Sequence, residues 1–175
     1  MGLIDRLDYT HTPPNLLQRW MQALAVTPAG SALLSRILRP MDRLVNRVSK
    51  HHTSTTSLLA GLPILMVTTT GARTGNPRTV PLIGIPYRSG IALIASNFGK
   101  ERTPGWAYNL SASNTAEVTH RTRTVRSVVR RASEAEADEI FETAEDFYAG
   151  WAVYRKRAGH RTIRVFVLHA ADEFV

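Results

Sequence analysis

The stretch TTTGARTGNPRTVPLIGIPYR, residues 68–88, decides what kind of chain this is. It begins at the end of one apolar run, LPILMVTTT (62–70), crosses a loop carrying Gly71, Arg73, Gly75, Pro77 and Arg78, and continues into a second run, RTVPLIGIPYR (78–88). Two apolar runs on either side of a Gly/Asn/Pro-rich connection read as antiparallel strands. The loop is richer than a turn requires. Its two glycines can take positive φ and expose backbone N–H groups. Arg73 and Arg78 can each grip a phosphate or carboxylate through two N–H donors. No GK[ST] follows the second glycine, so this is not a P-loop. The plain alternative is a surface turn with two solvated arginines.

Working outward from the loop, strand signals dominate. A Ser89-Gly90 turn leads into IALIASN (91–97), a third run that makes a hairpin with the second. PGWAYNLSAS (104–113) reads as a short helix with Pro104 near its start. AEVTH (116–120) and TRTVRSVVRRA (122–132) read as another hairpin, turning near Arg121. Ser133 and Glu136 make a capping box, so a helix is expected from there to about Tyr148, with an extension toward Arg157 left open. RTIRVFVLHA (161–170) closes the series. Six short antiparallel strands with few helices predict a small α+β barrel with helices at its rim.

Before residue 58 the texture is helical. Residues 15–26 and 31–50 read as two helices, the second with an apolar stripe of Leu33, Leu34, Ile37, Leu38, Met41, Leu44, Val45 and Val48. Arg36, Arg39, Arg43, Arg47 and Lys50 fall on the opposite face. The expected organisation is a basic amphipathic arm over 1–58 and a barrel over 59–175. Two readings of the arm stay open: its stripe packs on the barrel, or it lies in a membrane interface with its arginines on anionic headgroups.

Composition narrows the chemistry. There is no cysteine, so disulfides and thiolate chemistry are excluded, and redox work would need a bound cofactor. The six histidines show no HExxH or H-x-x-x-H spacing, so no metal site is expected. A formal charge of +8 favours anionic partners. Nucleic acid is set aside, because Arg121, Arg123, Arg126, Arg130 and Arg131 do not share one strand parity and no aromatic stacking platform accompanies them. No apolar run is long enough to span a membrane, and the N-terminus carries acids and lacks an apolar core. The expected location is cytoplasmic, with peripheral contact at the inner face of the cell membrane if the arm binds lipid.

TTTGARTGNPRTVPL, ASNFGKERTPGWAYNL, FYAGWAVY and RTIRVFVL, in this order, resemble the deazaflavin-dependent nitroreductase family, split-barrel proteins of the pyridoxamine-phosphate-oxidase-like fold that bind coenzyme F-420. The resemblance covers roughly residues 59–170. It implies an oxidoreductase that passes hydride from the reduced deazaflavin to an electron-poor acceptor: a quinone, an activated alkene or a nitroaromatic. It implies that Arg73, Thr74 and Arg78 meet the phosphate and acidic tail of the cofactor, with Ala72 standing where the family often has arginine. It implies that Thr79, Val80, Pro81, Leu82 and Ile83 lie along the ring, and that Ala95, Ser96 and Asn97 face ring and substrate. Gly105, Trp106, Ala107, Tyr108 and Asn109 match the helix that helps bury the cofactor. Tyr148, Trp151 and Tyr154 match an aromatic wall on the substrate side, with Trp151 in place of a tyrosine. Tyr148, Tyr154 and Ser96 are the candidate proton donors. Arg164 stands where the family often has proline. Related split barrels often pair, so a homodimer is expected. The alternatives are an FMN-using enzyme and a non-catalytic split barrel that holds a cofactor or lipid.

Overall fold

The structure, a computed structural model, describes residues 1–10, 64–148 and 150–174. The expected helices at 15–26 and 31–50 and the boundary at 58/59 lie outside the described residues. Among those described, one antiparallel sheet holds seven strands in the order β2-β1-β5-β6-β7-β4-β3. They are β1 (Ile64–Thr70), β2 (Pro77–Ile83), β3 (Ile85–Tyr87), β4 (Gly90–Ile94), β5 (Thr115–His120), β6 (Arg123–Arg131) and β7 (Val165–Ala170).

The count corrects the expected six, and the reason is Gly84. The run 78–88 is not one strand. Its first half pairs with β1, from Ile64↔Ile83 to Thr70↔Pro77. Its second half pairs with β4, from Ile85↔Ala92 to Tyr87↔Gly90. The two halves are therefore the opposite edges of the sheet. In a flat sheet of seven strands those edges would stand roughly 29 Å apart, yet only one residue joins them here. The sheet must roll until its edges meet at Gly84, which makes it a split barrel. Gly84 fits because nothing larger does: a Cβ there would come within 2.6 Å of Leu65 Cδ1 and 2.9 Å of Ile91 Cγ2.

Strand alternation divides the core in two. Leu65, Val67, Ile91, Leu93, Val118, Phe166 and Leu168 point inward and fill the barrel. Ile85, Tyr87, Ala92, Ile94, Val165 and Val167 point outward. The outward set is covered by two helices, α3 (Glu134–Phe147) and α4 (Gly150–Arg157), through Ile140, Phe141, Ala144, Tyr148, Trp151 and Tyr154. α3 begins as expected: Ser133 Oγ accepts from the Glu136 N–H at 3.3 Å, and the Glu136 carboxylate accepts from the Ser133 N–H at 2.9 Å. The extension toward Arg157, left open by the sequence, is a separate helix. Tyr148 has extended backbone (φ −158, ψ 109), and the chain restarts as a separate helix at Gly150.

The first residues complete the barrel. α1 (Leu3–Leu7) buries Leu3 and Leu7 among the inward side chains. Tyr9 Oη donates to the Gly84 carbonyl at 2.6 Å, so the N-terminal segment is fastened to the point where the sheet edges meet. His120 Nδ1 donates to the Leu7 carbonyl at 3.1 Å, and its ring meets Tyr9 edge-on.

Candidate functional site

The 71–76 loop between β1 and β2 is built from the inside. The Gly71 N–H donates to Asn76 O at 2.9 Å and the Gly71 carbonyl accepts from Gly75 N at 2.7 Å, which closes the loop on itself. Gly75 sits at φ +71 with open space around its α-carbon. One side chain from elsewhere fixes this shape. Asn109, on helix α2 (Gly105–Ala112), accepts from the Ala72 N–H at 3.0 Å and donates to Thr69 Oγ1 at 3.0 Å. Thr69, buried, in turn donates to the Arg78 carbonyl at 3.3 Å. The loop is thus anchored to helix and strand, while Ala72, Arg73, Thr74 and Arg78 stand exposed. Neither guanidinium has a hydrogen bond or ion pair with any described residue.

Along β2, alternation sorts the expected ring contacts. Val80 and Leu82 turn toward the barrel interior. Thr79, Pro81 and Ile83 hold the other parity: the Thr79 and Thr68 hydroxyls are 2.8 Å apart, and Ile83 packs against the outer layer. Val80 and Leu82 therefore turn their side chains away from the face that Thr79, Pro81 and Ile83 share.

Helix α2 is similarly divided. Trp106 and Ala107 are buried in the barrel core, with the Trp106 ring 5.9 Å from Phe166. Gly105 and Tyr108 face solvent, and the Tyr108 ring lies under the Arg164 guanidinium at 4.8 Å. Arg164, in the place expected for proline, also donates to Ser111 Oγ at 3.3 Å, so it ties the start of β7 to α2.

Ala95, Ser96 and Asn97 follow β4. Ala95 and Ser96 are buried. Asn97, Phe98 and Gly99 then take three successive left-handed conformations, φ +49, +58 and +74. The sequence reading missed what holds them. Arg161 Nη2 donates to the carbonyls of Ser96 at 2.7 Å and Ala95 at 3.2 Å, and its Nε donates to Lys100 O at 3.1 Å. Its acceptors are all backbone, and backbone acceptors leave no residue-type signal in a sequence.

The aromatic wall does assemble. Tyr148 and Tyr154 place their hydroxyls 3.2 Å apart, both rings buried. Trp151 meets Tyr154 edge-on at 6.1 Å, and Phe98 meets it from the turn at 5.7 Å. Gly150 makes the packing feasible, because a Cβ there would lie 2.2 Å from Tyr148 Cε1. Burial pushes both hydroxyls above the usual tyrosine range, with the Tyr154 hydroxyl adding to the rise at Tyr148. Both therefore stay protonated at physiological pH, and within the pair one hydroxyl donates while the other accepts. The Trp151 Nε1–H is buried with no partner among the described residues. Those residues contain no cluster of three or more His, Asp or Glu able to hold a metal, and none of their helices is long and apolar enough to cross a membrane.

A rolled antiparallel sheet with an arginine loop at one hairpin and an aromatic wall over its outer face belongs to the split-barrel class. The comparisons place it more narrowly. Residues 41–170 match the model of the F420H(2)-dependent quinone reductases, and the chain belongs to that family. Over 56 residues, 32% of this chain, it is 39% identical to an F420H(2)-dependent quinone reductase of Mycobacterium tuberculosis (strain ATCC 25618 / H37Rv). The matched stretch spans 38% of that relative's length. An F420-H2 dependent reductase of known structure, FDR-A, is 30% identical with a TM-score of 0.55, covering 61% of this chain and 93% of its own. A chain solved as a domain-swapped dimer is 25% identical with a TM-score of 0.58, covering 81% of this chain and 99% of its own.

Proposed function

We propose that the chain binds coenzyme F-420 and uses its reduced form to reduce an electron-poor acceptor, quinones first, with activated alkenes and nitroaromatics as the other classes. The observation that carries this reading is the 71–78 loop. Two arginines are presented outward on an anchored hairpin, with no acid paired to them among the described residues, in a chain whose family is defined by that cofactor. Those donors fit a phosphodiester and glutamate tail, which needs bidentate cations and backbone N–H groups. No feature of the loop favours FMN.

When bound, the reduced deazaflavin supplies the hydride. The residues of the chain supply the rest. Arg73, Thr74 and Arg78 grip the tail. The outward edge of Thr79–Ile83 and the buried Ala95–Ser96 strand end flank the ring and exclude water. Trp151, Tyr148 and Tyr154 wall the acceptor side, and a proton reaches the reduced acceptor from Tyr148, Tyr154 or Ser96, directly or through water. Replacing both tyrosines with phenylalanine is expected to cut turnover by roughly 100-fold, with F-420 affinity unchanged. Equal turnover in the double variant would remove them from the proton role.

A homodimer is part of the same reading, supported by the domain-swapped relative. So is contact of the basic 31–50 segment with an anionic membrane, where lipid quinones dissolve; liposome flotation of the full chain against one with Arg36, Arg39, Arg43 and Arg47 replaced by glutamine tests it. The reaction itself is tested by following oxidation of reduced F-420 with a quinone, an activated alkene and a nitroaromatic in parallel. Fastest oxidation with the quinone is the expected result. No oxidation with any of the three would overturn the reading.

A further inference from the structure

The turn after β4 is held in a shape its own sequence does not favour. Asn and Gly accept left-handed backbone, but Phe98 at φ +58 does not. Inside the turn there is little to enforce it: Gly99 N donates to Ser96 O, Lys100 N to Asn97 O, each at 3.0 Å, and Asn97 Nδ2 reaches Arg102 O at 2.8 Å. The rest of the restraint comes from outside. On one side is Arg161 with its three carbonyl acceptors. On the other is α4: a Cβ on Gly99 would sit 2.5 Å from Arg157 Cβ, and the Phe98 ring abuts Tyr154.

Arg161 is an expensive way to hold a turn. It is half-buried, it has no carboxylate partner among the described residues, and its Nη1 is buried without an acceptor. Burial lowers its proton affinity, as expected for a cation taken from water with no countercharge. A cation without a described countercharge that holds three carbonyls of a strained segment beside a site has a place in the site as well as in the fold.

We propose that Arg161 is a positioning residue: by holding the carbonyls of Ala95, Ser96 and Lys100 it fixes the Asn97–Gly99 turn, and through Phe98 it sets the Tyr154 ring against the acceptor side. This rests on the proposed F-420 reaction for its consequence in turnover, but not for its structural half. Arg161 does not touch the tail loop and reaches the ring only through Ala95 and Ser96, so its loss acts more on turnover than on cofactor capture.

The test compares wild type, Arg161→Ala and Arg161→Lys. In cofactor-free protein, amide hydrogen exchange at residues 99 and 100 is expected to rise at least tenfold in both variants, while the β5–β6 hairpin stays protected. With reduced F-420 and a quinone, kcat is expected to fall at least tenfold with F-420 affinity within threefold of wild type. Added guanidinium should restore part of kcat to Arg161→Ala, and lysine, which lacks the fork, should not substitute for it. If Arg161→Ala does not fold, Arg161→Lys carries the same two readouts. Unchanged exchange at 99 and 100, or unchanged kcat, would overturn the proposal. If wild type itself oxidises no reduced F-420, the function reading fails, and the exchange data still decide whether Arg161 holds the turn.

Discussion

Gly75 and Gly99 have nearly the same backbone angle, φ +71 and +74, and quite different surroundings. Around Gly75 there is nothing within 4 Å of an added Cβ; around Gly99 the Arg157 Cβ is 2.5 Å away. Gly75→Ala should therefore cost only the left-handed penalty, about 1–2 kcal/mol. Gly99→Ala should cost that and a steric collision with α4, at least about 3 kcal/mol. Denaturant unfolding of the two variants checks this, and equal losses would contradict the packing described for the turn. At this scale the sequence is legible where chemistry and residue type coincide. Arg73 and Arg78 stand out because two guanidiniums on a glycine loop suit a phosphate or carboxylate, although a solvated surface turn carries the same residues. Asn109 and Arg161 are harder to read, since their partners are mostly backbone groups and a carbonyl looks the same in every residue.

Among the elements, α3 shows how local signals succeed. Its capping box was readable from Ser133 and Glu136, and the structure adds that Arg130 reaches the Glu136 carboxylate with two bonds of 2.7 Å. Arg130, then the Ser133 N–H, hold that carboxyl down at about 2 from an ordinary 4.5. The folded value is depressed, so the stabilisation is present above pH 4.5 and is lost as pH falls toward 2. Wild type should exceed Glu136→Gln in stability at neutral pH, by less than the shift alone suggests because Arg130 is 44% exposed. The gap should close by about pH 2; a gap constant with pH would contradict the ion-pair account. The end of α3 near Tyr148 was readable; the restart of the chain as a separate helix at Gly150 was not. The apolar stripe of Ile140, Ala144, Trp151 and Tyr154 continues the helical period, and the separation of the two helices shows only in the backbone. Likewise Ile83, Ile85 and Tyr87 keep one parity through Gly84, so alternation gave no sign that the run splits between two sheet edges.

For the whole molecule, closure at Gly84 is the feature on which the barrel depends, and Tyr9 is its fastener. Removing the buried Tyr9 hydroxyl leaves the Gly84 carbonyl unpaired, which typically costs about 1–3 kcal/mol. Tyr9→Phe should lower the melting temperature by several degrees, and an unchanged melting temperature would show that the edges hold without it. Charge is also organised at this scale. Half of the 14 acids (Glu134, Glu136, Asp138, Glu139, Glu142, Glu145 and Asp146) lie on α3. Arg88, Arg130 and Arg155 answer them there with ion pairs. Arg123, part of the basic strand weighed for nucleic acid, faces Asp8. The arginines of the 71–78 loop have no such partners among the described residues. The family could be read from four motifs in order because each carries residues with a fixed chemical use. The barrel was expected too; its seventh strand and the meeting of its edges at Gly84 were not, because they depend on strand partners distant in sequence.

The central claim is that the arginine loop holds a deazaflavin by its tail. The most direct measurement is a fluorescence titration with coenzyme F-420 beside FMN, on wild type and on the Arg73→Ala/Arg78→Ala variant. The account predicts that wild type prefers F-420. It also predicts that the double variant loses at least about 2 kcal/mol, roughly 30-fold in affinity, without losing stability. Equal affinity for FMN, or an unchanged F-420 affinity in the double variant, would contradict it.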